Sequence, residues 1–325
     1  MGAKYCLYLN NGLNFHYSGL TFCNKLWIGS DFQKYEGDYL KTFFENREKV
    51  LADMKKGIAP GHCRSCMYLK DDEGGEITPK IKYMEIYHWN ECNCACFYCS
   101  NRNATKLKIT QKRNIKGVID VMPNLKKLKK ADMLDDKLEA TLLGGEPTLL
   151  KEFSDILKFF IKNKYGISIL SNGIYYEKYI PRALRAGEKS FLTVSLDSGS
   201  REMFKRIKRA DKFDEVLKNI RRYVKESKEA SNKIMMKYII LEGVNDSKEE
   251  INKFIDVCAQ AGVTNYFPAI EFCHSVKNEN SKLSENVCSL YEYIKTRVKE
   301  VNSGFTVSAY DFVEELIKKH SYKIR

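Results

Sequence analysis

Eleven cysteines fall in this chain of 325 residues, and their placement constrains what it can be more than any other feature. Cys6, Cys23, Cys63 and Cys66 lie in the first eighty positions, Cys92, Cys94, Cys96 and Cys99 crowd into eight, and Cys258, Cys273 and Cys288 stand apart. The N-terminus MGAKYCLYLNNG lacks a basic stretch followed by an apolar one, so no export signal is read there and a reducing, cytoplasmic setting is expected. Thiols in such a setting are metal ligands or redox groups rather than disulfides. No run approaches the ~18 apolar residues of a membrane span, so no membrane partner is expected. The excess of 13 positive charges, from 55 Lys and Arg against 42 Asp and Glu, fits nucleic acid, an acidic substrate or an acidic electron donor without choosing among them.

Organisation follows from the punctuation between apolar runs. The polar, Gly-containing segment DDEGGEITPK, residues 71 to 80, reads as a linker and places a boundary near residue 80. Beyond it, KYMEIYHW, LEATLLGG, GISILSNG, FLTVSLDSG, IMMKYIILEG and NYFPAIEFC read as strands. Helical stretches are expected around 112–130, 176–187, 211–229 and 247–261, and Phe153, Ile156, Leu157 and Phe160 mark another by their i, i+3, i+4, i+7 spacing. Six β-α units in sequence mean an α/β fold with a parallel sheet, open or closed as a partial barrel, whose chemistry sits at the C-terminal strand ends.

Three of the crowded cysteines, Cys92, Cys96 and Cys99, have the spacing C-x3-C-x2-C directly after the first of these strands, with Tyr98 just before the last. This resembles the radical S-adenosylmethionine (radical SAM) enzymes. Three thiolates on a cubane leave one of its four irons open, and the resemblance implies a [4Fe–4S] cluster whose open iron is chelated by S-adenosylmethionine. Cys94 lies out of register and reads as a spare thiol. Gly144, Gly145, Glu146 and Pro147 resemble the family's GGEP motif, which receives the methionyl ammonium. Ser171, Asn172 and Gly173 resemble its TNG turn, and Ser195 and Asp197 stand where its polar side chains reach the ribose. Gly243 to Asp246, with Asn245, repeat its GVND turn. Relatives commonly have Arg about five residues before the FD that opens the fourth helix. Here Lys208 precedes Phe213 and Asp214, and Arg206 or Arg209 would have to substitute in holding the cofactor's carboxylate, because Lys lacks the bidentate fork. The resemblance runs over about residues 82 to 273 and implies a partial (β/α)6 TIM-like barrel over 81–275, between a small N-terminal cysteine-rich domain, 1–80, and a C-terminal helical segment, 276–325.

In the first eighty residues, Arg47, Met54, Gly57, Pro60 and GHCRSC resemble a Twitch-type module of the kind related to SPASM domains, which implies an auxiliary [4Fe–4S] cluster on Cys6, Cys23, Cys63 and Cys66. Four thiols ending in C-x2-C equally suit a structural zinc, and His62 could replace one of them. Cys258 and Cys288 sit on apolar helical faces as core thiols. Cys273, at the end of the sixth strand and followed by His274, is the candidate catalytic thiol, a hydrogen-atom donor.

The resemblance therefore implies an enzyme that reductively cleaves S-adenosylmethionine and removes hydrogen from a peptide or polar small molecule. The auxiliary cluster would serve an oxidation, whereas Cys273 would serve an epimerisation. A flavodoxin- or ferredoxin-like acidic donor is the expected partner, and nucleic acid is not expected. The rival reading, a zinc-stabilised nucleic-acid-binding protein built on Cys63, Cys66, Cys96 and Cys99, has 29 residues between its pairs where ribbons have about 15 to 20, and leaves GGEP unexplained.

Overall fold

A short antiparallel hairpin of the N-terminal residues is built onto the first long parallel strand, and this is the feature that the sequence pattern did not anticipate. The computed structural model describes residues 2–16, 19–23, 26–31, 38–64, 66, 68–72, 80–99, 120–270, 284–301 and 306–307. They fall into two compact units, Met1–Glu91 with Asn114–Ser168 and Gly187–Lys189, and Cys92–Arg113 with Ile169–Ala186 and Ser190–Arg325. The division therefore does not fall at residue 80.

The first unit contains β1 (Lys4–Tyr5), α1 (Leu7–Asn11), β2 (Gly12–His16), β3 (Gly19–Cys23), β4 (Leu26–Asp31), α2 (Tyr39–Lys55), β5 (Lys70–Asp71), β6 (Ile81–Tyr87), α3 (Val121–Lys130), β7 (Leu134–Leu142) and α4 (Phe153–Asn163). Its strand order is β7, β6, β2, β3, β4, with β2 parallel to β6 from Gly12↔Tyr83 to His16↔Tyr87 and β3 antiparallel on either side. This pairing makes the N-terminal segment an extension of the parallel sheet, which is why no boundary appears after the linker. Helix α2 is capped by Asp38, whose side chain accepts from the Lys41 N–H. It stops where Gly57 takes φ of +79°, a conformation open to glycine without strain. On α4 the residues Phe153, Ile156, Leu157 and Phe160 are all buried, as their spacing predicts.

Strand β8 (Gly166–Ser171) straddles the division, its first three residues in the first unit and its last three in the second. The second unit continues with α5 (Ile180–Ala186), β9 (Phe191–Ser195), α6 (Arg201–Lys208), α7 (Phe213–Ser227), β10 (Ile234–Ile240), α8 (Lys248–Gln260), β11 (Asn265–Ile270), α9 (Glu285–Val301) and β12 (Thr306–Val307). Strands β9, β10, β11 and β12 are parallel, in that order. Strand alternation sorts the two faces: Tyr238 of β10 and Tyr266 of β11 both meet Phe254 of α8, at ring separations of 4.8 and 6.1 Å, so their neighbours Lys237 and Phe267 point to the face away from that helix. Helix α8 opens with Ser247 accepting from the Glu250 N–H, and Glu250 in turn accepts from the Gly199 N–H at 2.7 Å. Cys258 and Cys288 are buried among apolar residues of α8 and α9, as expected of core thiols. Among the described residues no helix is long and apolar enough to cross a membrane.

Candidate functional site

In the first unit, four cysteines that are distant in sequence are gathered by three separate elements. Cys6 precedes α1, Cys23 ends β3, and Cys63 and Cys66 follow α2 on a turn in which the Cys63 N–H donates to the Pro60 carbonyl at 2.8 Å and the Cys66 N–H to the Cys63 carbonyl at 3.0 Å. All four line one cavity of about 430 Å³, together with His62, Tyr8, Tyr83, Glu85 and Glu139 among others. Burial, and then the neighbouring thiols Cys23, Cys6 and Cys66, push the Cys63 thiol up to about 11. Without a cation these thiols oppose each other's ionisation, whereas a bound metal reverses that logic by deprotonating them. The donor set thus fits a metal group. Among the described residues no three His, Cys, Asp or Glu side chains stand as a ready-made site for a single metal ion.

The GGEP turn also belongs to the first unit. Its Gly145 N–H donates to the Trp89 carbonyl at 3.2 Å and the Glu146 N–H to the Glu91 carbonyl at 2.7 Å, which fixes the segment that runs directly into Cys92. A Cβ on Gly145 would lie 2.2 Å from the Glu91 carbonyl oxygen and 2.8 Å from the Asn90 carbonyl carbon, so this backbone approach requires glycine. The Glu146 carboxylate, 2% exposed, caps a 3-10 turn that begins at Pro147, accepting from the Thr148 N–H and hydroxyl at 3.3 and 2.8 Å.

The cysteine loop itself lies in the second unit. Its backbone is docked on the C-terminal end of α6: the Ala95 N–H donates to the Lys208 carbonyl at 2.9 Å and the Phe97 N–H to the Ile207 carbonyl at 3.3 Å. Cys92 is exposed, with the Cys94 N–H 3.4 Å and the Asn172 side-chain amide 3.7 Å from its sulfur. Asn172 also donates to Asn93 Oδ1 at 2.6 Å and accepts from the Ile174 N–H at 3.0 Å. Cys96 and Cys99 close an i to i+3 turn, the Cys99 N–H on the Cys96 carbonyl at 3.3 Å, the same turn that joins Cys63 and Cys66. A hydrogen bond with Cys94, assisted by the charge of Lys208, draws the Cys96 thiol down to about 6. A thiol so placed is a ready metal ligand.

Beneath the loop lies a buried charge cluster. Asp197, fully buried at φ +59°, receives the Tyr98 hydroxyl at 2.6 Å on Oδ2, the Lys208 ammonium on the same oxygen, and the Ile239 N–H at 2.8 Å on Oδ1. Lys208 also donates to the Tyr98 hydroxyl at 2.9 Å. Burial, the largest single influence, would lower this lysine, yet Asp197, Tyr98 and Cys96 together outweigh it and hold the ammonium well above its ordinary range. Asn245, 1% exposed, binds the Leu241 N–H and the carbonyls of Asp197 and Ile239 at 2.7 to 2.9 Å.

Of the expected cofactor contacts, Asp197 and Asn245 hydrogen-bond within the protein, and the Tyr98 hydroxyl donates to Asp197. Lys208 is enclosed against the Asp197 carboxylate and the Tyr98 hydroxyl, whereas Arg206 and Arg209 are exposed. Cys273 and His274 lie outside the described residues. A residue that sequence reading passed over is Lys237, whose signal was one charge at the centre of the apolar run IMMKYII.

With this geometry in place, the comparisons with known proteins are specific. The sequence model of the radical SAM superfamily matches residues 86–255. The GTP 3',8-cyclase of Nautilia profundicola is 23% identical over 252 residues, 74% of each chain, and that of Clostridium botulinum is 28% identical over 181 residues, 55% of this chain and 53% of its own. The chain therefore spans about half the length of the clostridial relative. Streptococcus suis SuiB bound to S-adenosylmethionine has a similar fold, with a TM-score of 0.54 and 18% identity over 85% of this chain and 57% of SuiB.

Proposed function

This chain belongs to the radical SAM superfamily, and from that premise we infer that it is an oxidising enzyme with two iron–sulfur clusters, acting on a peptide or a polar small molecule. Cys92, Cys96 and Cys99 would hold the first cluster. When bound, that cluster and S-adenosylmethionine supply the one-electron reductive cleavage that yields methionine and a 5′-deoxyadenosyl radical. The protein's own contribution starts with the loop: α6 carbonyls fix its backbone, Asn172 orients Cys92 from the end of β8, and the Lys208 charge favours the thiolate of Cys96. On the GGEP turn the close backbone approach at Gly145 sets where the residue preceding Cys92 must lie.

The observation that carries the second cluster is the gathering of Cys6, Cys23, Cys63 and Cys66 around one cavity. Four thiols on one cavity suit a fully ligated cubane, and a structural zinc held by the same four sulfurs is the alternative that metal analysis separates. An auxiliary cluster there supplies a sink for the second electron of a two-electron oxidation, which is why we favour oxidation. The rival zinc and nucleic-acid reading gives way to the family membership. An acidic one-electron carrier is the donor that suits the excess of 13 positive charges.

Iron analysis of anaerobically reconstituted protein tests this reading. About eight irons per chain are expected, about four of them lost in a Cys63→Ala/Cys66→Ala variant. Four irons with one zinc in the wild type would refute the auxiliary cluster. Absence of 5′-deoxyadenosine after addition of dithionite and S-adenosylmethionine would refute the radical chemistry itself.

A further inference from the structure

Lys237 sits where no structural role accounts for it. It is the middle residue of β10 and points away from the helix layer, in one row with Ser195 of β9 and Phe267 of β11, with which it is in register. Its strand neighbours on that face, Met235 and Ile239, belong with Phe267 and Ala269 to an apolar cluster. The ammonium stands 5.8 Å from the centre of the Phe267 ring, and among the described residues no carboxylate pairs with it. The nearest acid is Asp197, already engaged by Lys208 and the Tyr98 hydroxyl.

Charge accounting makes the placement informative. Lys208, Lys237 and Asp197 influence one another electrostatically, and because Asp197 is already engaged by Lys208, Lys237 is left with no carboxylate of its own among the described residues, in a half-buried and largely apolar setting. Desolvation lowers the affinity of Lys237 for its proton, with Asp197 opposing and Lys208 reinforcing the effect. An unpaired charge on a half-buried strand position among apolar neighbours is not needed for packing, since Leu or Met would fill the same position without the desolvation cost. What suits this position is an anion brought in from outside.

We propose that Lys237 anchors the substrate of this enzyme by an anionic group, a carboxylate or a phosphate, on the face of β9, β10 and β11 opposite the helices. The proposal rests on the radical SAM reading for the existence of a substrate there, and it narrows the substrate class to molecules carrying such a group. The Phe267 ring and Met235 would pack beside the bound group, excluding water and strengthening the ion pair.

Pyridoxal 5′-phosphate is a suitable probe, being an anion that forms an imine with a lysine amine on loss of water, trapped by borohydride reduction of the C=N bond. Reconstituted enzyme should acquire this label at Lys237, as located by peptide mass spectrometry, and inorganic phosphate should slow that labelling at least several-fold while leaving labelling of exposed lysines such as Lys225 unchanged. The unphosphorylated aldehyde, pyridoxal, should label Lys237 much less. Lys237→Met should lose the label at this position while labelling of Lys225 is unchanged. Labelling of Lys237 no faster than that of Lys225, or unaffected by phosphate, would overturn the assignment. Protection by S-adenosylmethionine but not by phosphate would assign the ammonium to the cofactor's carboxylate, and the substrate proposal would fall. Failure of the wild type to release 5′-deoxyadenosine would instead count against the radical reading, whatever the labelling showed.

Discussion

Replacing Asp197 with Asn keeps the shape of the buried carboxylate and removes its charge, leaving the enclosed Lys208 ammonium without its counter-ion. Breaking a buried pair from one side costs about 3–5 kcal/mol. An independent limit gives the same size. Lys208 can escape by losing its proton, and at pH 7 that costs about 1.36 kcal/mol for each of the ~3.4 pH units below the ordinary lysine value, or about 4.6 kcal/mol. The limit falls as pH rises, because the unfolded lysine also deprotonates, and at pH 9 it is only about 2 kcal/mol. Urea unfolding followed by circular dichroism should therefore show Asp197→Asn less stable than wild type by about 3–5 kcal/mol at pH 7 and by no more than about 2 kcal/mol at pH 9. Adding Lys208→Met should restore most of the loss, since two neutral groups of similar volume replace the pair. A deficit under about 1 kcal/mol at pH 7, or one that does not shrink by pH 9, would refute the view that this pair is a structural support of the cysteine loop.

Other consequences follow from single sites. Changing Cys92, Cys96 or Cys99 to Ala should abolish 5′-deoxyadenosine release and remove about four irons, while Cys94→Ala should retain both; loss in Cys94→Ala alone would identify a different triad. Gly145→Ala should destabilise the protein by about 1–3 kcal/mol through overpacking and lower iron retention at the Cys92 loop, since the new methyl meets the Glu91 backbone; wild-type iron content would contradict this. Burial holds His16 neutral and lowers it to about 4. Its ordinary value is near 6.5, so the unfolded chain binds the extra proton first and stability falls as pH drops from 6.5 toward 4, by about 2 kcal/mol at pH 5; His16→Gln should flatten that slope in urea midpoints measured at pH 7.5 and 5.

Strands were legible where the apolar run was long and bounded. IMMKYII and NYFPAI became β10 and β11, and the i, i+3, i+4, i+7 set became α4, because burial on one or both faces is written in composition alone. GLNFH and GLTFC were not read as strands, although β2 and β3 are nearly wholly buried, because five-residue runs between cysteines carry too little periodicity to separate from loop. The missed parallel pairing of β2 with β6 had a direct consequence: the DDEGGEITPK segment looked like a domain linker, yet it connects two parts of one unit.

The same limit explains the site. Spacing within one loop could be read, so Cys92, Cys96 and Cys99 stood out, and the four N-terminal thiols could be counted though not placed. Partners remote in sequence could not be read: nothing in VSLDS says that the Asp197 carboxylate spends itself on Lys208, eleven positions later, and on Tyr98, ninety-nine earlier. That three-way contact changes the meaning of the departure from the family's arginine. An arginine in that place could reach a carboxylate on a ligand, whereas Lys208 is enclosed with Asp197 and supports the loop through both its ammonium and its backbone carbonyl. Lys237 of β10 faces the same Asp197 electrostatically, so the substitution at the end of α6 and the charge in the middle of β10 belong to one electrostatic arrangement.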